Sequence, residues 1–144
     1  MAQPYEKFGS RNFVASSSTA GNGEGDVIFI GETTVSAGVM YYFTTDGAWA
    51  LTDADAVASS SPLLAVALAS GTASDVGMLL RGMVTLATDP GNNPGVPLYI
   101  WTTAGQANRT APSGSGDIVR VIGYNIANGG YIWFNPDNTF VEVA

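Results

Sequence analysis

The chain has 144 residues, no cysteine, no histidine and a formal net charge of −7 at pH 7. Without cysteine there are no disulfides, thiolate metal sites or thiol nucleophiles, and without histidine the commonest general base and transition-metal ligand is missing. These absences, with Lys7 the single lysine, weigh against an enzyme, while the acidic balance disfavours nucleic acid and anionic lipid as partners.

Length sets one domain as the expectation, large enough to bury a core made of side chains alone. No apolar run reaches membrane-spanning length. The N-terminal MAQPYEKFGSR lacks a basic flank followed by an apolar stretch, so it reads as no secretory signal and the chain as one made in a cytoplasm.

Residues 1–25 read as an extended arm. "FVASSSTAGNGEGD" is small, polar and glycine-rich, and GNGEG at 21–25 reads as flexible linker rather than a phosphate loop, having no Lys-Ser/Thr after it. Tyr5, Phe8 and Phe13 interrupt this polarity. A solvated tail has little use for three aromatics, so the arm is expected to lie along a surface of its own domain or of a partner.

From Asp26 the pattern turns to strands. "DVIFIGE" is β-branched and aromatic and stops at Gly31. "AGVMYYFTTDGAWAL" holds two apolar runs around Asp46-Gly47, a hairpin signal. "TDADAVASSS" at 52–61 supports one helical turn or an ordered loop. "SPLLAVALASG" is bounded by Pro62 and Gly71, and "DVGMLLRGMVTLA" carries Gly77 and Gly82 inside an apolar run, predicting a bulge or a close backbone approach. "GVPLYIWTT" has Pro97 at a strand start or edge, and "DIVRVIGYNIA" alternates around Arg120. "GYIWFNPDNTFVEVA" reads as a last hairpin turning at Asn135-Pro136-Asp137-Asn138. Strands recurring this often between Gly, Pro, Asn and Asp predict an all-β fold, a sandwich or barrel of antiparallel strands over 26–144 with the N-terminal arm outside it.

Candidate chemistry is sparse. Asp53 and Asp55 fall short of the six to eight oxygens calcium takes and read as an acidic turn. Asn135 to Asn138 reads first as a turn. Ser16–Ser18 and Ser59–Ser61 have no histidine to activate them, and Asn108-Arg109-Thr110 is a glycosylation sequon only in form. No catalytic, cofactor or metal residue is expected. Consecutive aromatics such as Tyr41-Tyr42-Phe43 must point to opposite faces of a sheet, so one face is core and the other a second core, a subunit contact or a ligand platform. Arg81 and Arg120, set in apolar strands, are expected to pair with acids at an edge or interface.

Several pieces carry a resemblance: Leu80-Arg81-Gly82, the Leu98-Tyr99-Ile100 strand followed by Thr102-Thr103-Ala104-Gly105, the Thr110-Ala111-Pro112 to Gly116-Asp117 turn, and Phe134-Asn135-Pro136-Asp137. Over residues 26–144 the chain resembles small β-rich structural proteins of tailed bacteriophages, seen as capsid decoration (cement) proteins and as fibre or appendage domains. The resemblance implies a virion protein on the capsid exterior, bound to the major capsid protein, homo-oligomeric with a trimer favoured, and reaching its neighbours with an arm. On that expectation Tyr5, Phe8, Arg11, Phe13, Arg81 and Arg120 are the candidate capsid or subunit contacts. The alternative is a receptor- or carbohydrate-binding module of a phage fibre or head appendage, with an exposed aromatic face.

Overall fold

The computed structural model describes residues 19–144. Candidates Tyr5, Phe8, Arg11 and Phe13, and the serines at 16–18, lie outside the described residues. The fold is all-β, with antiparallel strands curled into a half-barrel.

The strands are β1 (Gly23–Ile28), β2 (Thr34–Val35), β3 (Met40–Phe43), β4 (Trp49–Leu51), β5 (Leu64–Ala67), β6 (Gly71–Thr72), β7 (Met78–Thr85), β8 (Pro97–Ile100), β9 (Ala107–Asn108), β10 (Ile118–Val119), β11 (Val121–Ala127), β12 (Tyr131–Phe134) and β13 (Val141–Glu142). A four-residue helix, α1 (Ala73–Val76), precedes β7, and Val57–Ser59 forms one 3-10 turn inside the predicted 52–61 segment. The main sheet runs β4-β3-β5-β7-β12-β11-β8-β9, with β1 added on β7; β10 pairs with β13 and β2 with β6.

Local signals place most strands where the sequence puts them. Gly47 takes φ +79° between β3 and β4, and its N–H donates to the Thr44 carbonyl, closing the Asp-Gly hairpin with Phe43 opposite Trp49. β8 starts at Pro97, which has no N–H to give a ladder. Other readings are corrected. The segment before Met78 is α1, not an extension of the strand. β12 and β13 do not form a hairpin: β12 lies between β7 and β11, and β13 pairs with β10. Arg120 lies between β10 and β11 rather than within a strand.

GNGEG is not a linker. The Gly21 N–H donates to the Thr85 carbonyl, Asn22 accepts from the Thr85 N–H, and Gly23 begins β1. Gly25 and Gly82 face each other in the β1–β7 register at φ +155° and +146°. A Cβ on Gly82 would sit 2.1 Å from the Glu24 carbonyl oxygen, and one on Gly25 the same 2.1 Å from that of Arg81. The two backbones approach so closely because neither residue has a side chain. The close approach predicted at Gly82 is therefore present, and the flexibility expected at Gly25 is not.

Curling brings the sheet's two ends together. Met40 N–H donates to the Gly105 carbonyl, Gly105 N–H to Thr52, and Ala54 N–H to Trp101, joining the β3–β4 end to the loops around β8 and β9. Inside the curl lies the main core, with Met40, Leu64, Val66, Leu79, Leu98, Ile100, Ile122, Ile132 and Phe134 all buried. Outside β3, β5 and the start of β7 lies a second core, where Val35 and Ala73 cover Tyr41, Trp49, Ala65, Ala67 and Met78. The aromatic triplet divides as strand alternation demands: Tyr41 and Phe43 serve the second core, Tyr42 the first. Of the readings left open for the second face, this part is a second core.

Candidate functional site

Arg81 is held within β7 and Arg120 in the break between β10 and β11, with opposite outcomes. Arg81 stands on β7 opposite Asp26 of β1, exposed, with Nη2 3.5 Å from the Asp26 carboxylate. The expected pairing with an acid is present, though β7 is an interior strand of the sheet rather than an edge, and an exposed pair of this kind contributes ~0–1 kcal/mol.

Arg120 is 6% exposed, and its partners are backbone carbonyls rather than acids. Nε donates to Asp137 O at 2.7 Å, while Nη1 donates to Ser60 O at 2.6 Å and Pro62 O at 2.8 Å. Burial pulls its pKa down, and the Asp137 carboxylate opposes the shift. The reading of Arg120 as an acid-paired residue at an edge or interface is corrected: its planar fork clamps the 53–62 loop to the 135–139 turn inside the domain. Three acceptors converge there because the break between β10 and β11 sets the residue between the 53–62 loop and the 135–139 turn.

The acidic and serine clusters resolve as loop chemistry. Asp53 Oδ1 accepts from the Asp55 N–H, and the hydroxyls of Ser59 and Ser60 donate to the Asp53 carbonyl at 2.7 and 2.6 Å. Desolvation first, then the charges of Asp53 and Asp117, raise the Asp55 pKa. Asp137 Oδ1 accepts from the Thr139 N–H and hydroxyl, bonds that lower its pKa. That is the Asx-turn reading of Asn-Pro-Asp-Asn. Asn108 Oδ1 likewise accepts from the Thr110 N–H, closing a local turn at the sequon. No group of three or more acidic side chains that could hold a metal ion occurs among the described residues.

The described surface also carries large exposed apolar side chains. Phe29 is 62% and Val141 66% exposed, and Ile30, Leu51, Val57, Leu63, Tyr124, Ile126 and Phe140 are exposed as well. Phe29 and Ile30 follow directly on β1, and the Ile30 carbonyl accepts from the Trp49 indole N–H at 2.9 Å. Trp49 in turn packs on Phe43, with ring centroids 4.7 Å apart. Phe43, Tyr42, Thr44, Thr45, Ala58 and Pro62 line an open groove of about 260 Å³. Buried Trp49 thus ties the end of β1 to the β3–β4 hairpin, and the groove lies between that hairpin and residues Ala58 and Pro62. A smaller cavity of about 80 Å³ lies between Gly38–Val39, residues 86–88 and residues 104–107. Sequence reasoning missed Phe29, Leu63 and Val141 because a strand's apolar residues carry no mark of which face is covered. The only available signal was that Phe29 and Ile30 continue an apolar run to the very edge of a turn at Gly31.

No protein-family model matches the chain, and comparison with curated proteins and with solved structures gives no match.

Proposed function

We propose that this chain is a capsid decoration (cement) protein of a tailed bacteriophage. It binds the outside of the shell formed by the major capsid protein and stabilises the head, acting as a homo-oligomer with a trimer favoured. The observation that carries this reading is the outward apolar surface. Phe29, Ile30, Leu63 and Phe140 stand exposed on loops that border strands, and Val141 stands exposed on β13. Large exposed apolar side chains in contiguous runs mark surfaces that meet other proteins. Hydrogen bonds from the Trp49 indole to the Ile30 carbonyl and from the Phe43 N–H to the Leu63 carbonyl tie two of these loops down, which lowers the ordering cost of docking. Tyr5, Phe8 and Phe13 in the N-terminal sequence support the same reading, as aromatic groups suited to contact with the shell.

The test is the copy number of this chain relative to the major capsid protein in purified particles, by quantitative mass spectrometry. A fixed ratio near one to one is the expected result. A few copies per particle would overturn the cement reading and favour a receptor- or carbohydrate-binding module of a fibre or head appendage. Absence from the particles would overturn both.

A further inference from the structure

The sequence holds two Asn-Gly dipeptides, Asn22-Gly23 and Asn128-Gly129. Glycine after asparagine is the pairing most open to attack of the backbone on the side chain, because no Cβ shields the glycine nitrogen and its backbone turns freely. Both asparagines are exposed, so access to water does not separate them. Their backbones do.

Asn22 is fastened to β7. Its carbonyl accepts from the Thr85 N–H at 3.0 Å, its N–H donates to the Thr19 carbonyl at 3.1 Å, and the preceding Gly21 N–H donates to the Thr85 carbonyl at 2.8 Å. Gly23 opens β1 opposite Val84, so close to β7 that a Cβ would lie 2.3 Å from the Met83 carbonyl oxygen. Bringing the Gly23 nitrogen onto the Asn22 side chain needs a backbone rotation that this pairing resists until β1 peels from β7.

Asn128 and Gly129 stand instead in the turn between β11 and β12. The last strand pair is Ala127 with Tyr131, and the far side of the turn is anchored where the buried Gly130 accepts from the Leu86 N–H at 2.8 Å. Gly129, at φ +87°, is exposed, with nothing within 4 Å of the place a Cβ would take. Its N–H reaches the exposed Asp89 carboxylate at 3.3 Å, a long bond to a side chain rather than a rung of a ladder.

We propose that Asn128 is a site of spontaneous deamidation and isomerisation, and that the β1–β7 pairing shields Asn22 from the same reaction. The Gly129 nitrogen attacks Cγ of Asn128 and gives up its proton to solvent. The N–Cγ bond forms, the Cγ–Nδ2 bond breaks, and ammonia leaves with a proton taken from solvent. The cyclic imide then adds water at either carbonyl and opens to aspartate or isoaspartate, with no change of oxidation state. The product carries one negative charge beyond the −7 of the chain, in a turn that the Asp89 carboxylate already contacts. Isoaspartate also lengthens the main chain of that turn by a methylene. Conversion therefore accumulates with the age of the folded protein, and it does not depend on shell binding.

The test is incubation of the isolated protein at physiological temperature and mildly alkaline pH. Peptide mass spectrometry gives the fraction of each asparagine converted to acid, and labelling by an isoaspartate methyltransferase marks the isomer. Asn128 is expected to convert at least about tenfold faster than Asn22, which reacts only through local opening of β1. In guanidinium chloride, where the pairing is gone, the two are expected to convert at similar rates. Equal rates in the folded protein, a faster Asn22, or an Asn128 that converts only when unfolded overturns the inference. The same large ratio in denaturant would mean that neighbouring residues rather than strand pairing set the difference, and overturns it too. None of these outcomes bears on the copy number in particles, so failure here and failure of the proposed function are separate results.

Discussion

Replacing Arg120 by methionine keeps the apolar stem and removes the guanidinium. That strands the Ser60 carbonyl, which is buried, and the Pro62 and Asp137 carbonyls, which are partly buried. Each unsatisfied buried acceptor costs ~1–3 kcal/mol, less where water can reach it, so three give about 3–6 kcal/mol. Removing a desolvated cation returns roughly 1–2 kcal/mol of that. The expected net loss is about 2–4 kcal/mol. With an unfolding entropy of ~2.1 cal/mol/K per residue, 144 residues give about 0.3 kcal/mol/K, so the melting temperature should fall by roughly 7–13 °C. Thermal and urea unfolding at pH 7, followed by circular dichroism, measure both quantities. Arg120→Lys presents one compact ammonium in place of the fork and should recover less than half of the loss. If Arg120→Met unfolds within about 0.5 kcal/mol of the parent, the three hydrogen bonds do not hold the loops and the clamp argument is wrong.

Three further changes probe other parts of the molecule. Gly82→Ala should cost about 2–5 kcal/mol, from strain at φ +146° and from a Cβ forced 2.1 Å from the Glu24 oxygen; urea midpoints would measure it, and a neutral effect would refute the close approach of β1 and β7. Trp49→Phe should lose about 2 kcal/mol through the missing bond to Ile30 and the smaller ring in the second core, seen as a lower melting temperature. Asp55→Asn tests the sign of a raised pKa. A carboxyl whose folded pKa lies above its unfolded value favours folding when protonated, and that advantage disappears as pH rises from the unfolded value of 3.8 through the folded one. The asparagine variant should therefore be the more stable at pH 7, with the difference closing below pH 3.8; equal urea midpoints at both pH values would refute it.

The β3–β4 hairpin, the start of β8 at Pro97 and the turn at Asn135 to Asn138 were legible in the sequence because each depends on residues within a few positions. Gly47 supplies a positive φ, Pro97 withholds a donor, and Asp137 bonds Thr139 two residues on. Alternating apolar and aromatic runs fixed the all-β class for the same local reason. The candidate surface was less legible. Arg120 looked like a residue awaiting an acid, but its partners at Ser60 and Pro62 are 60 and 58 residues away and are carbonyls, which every residue carries and no sequence motif distinguishes. GNGEG looked like a linker because glycine serves both as flexible chain and as the one residue that lets two strands touch, and only the presence of Gly82 across β7 tells these apart. Strand β13 could have returned to β12 by its turn; it pairs with β10 instead. Local chemistry decides where strands begin and end. Which strand lies beside which, and so which face of each is wet, depends on contacts far apart in the chain and is decided only when the sheet curls and its two ends meet.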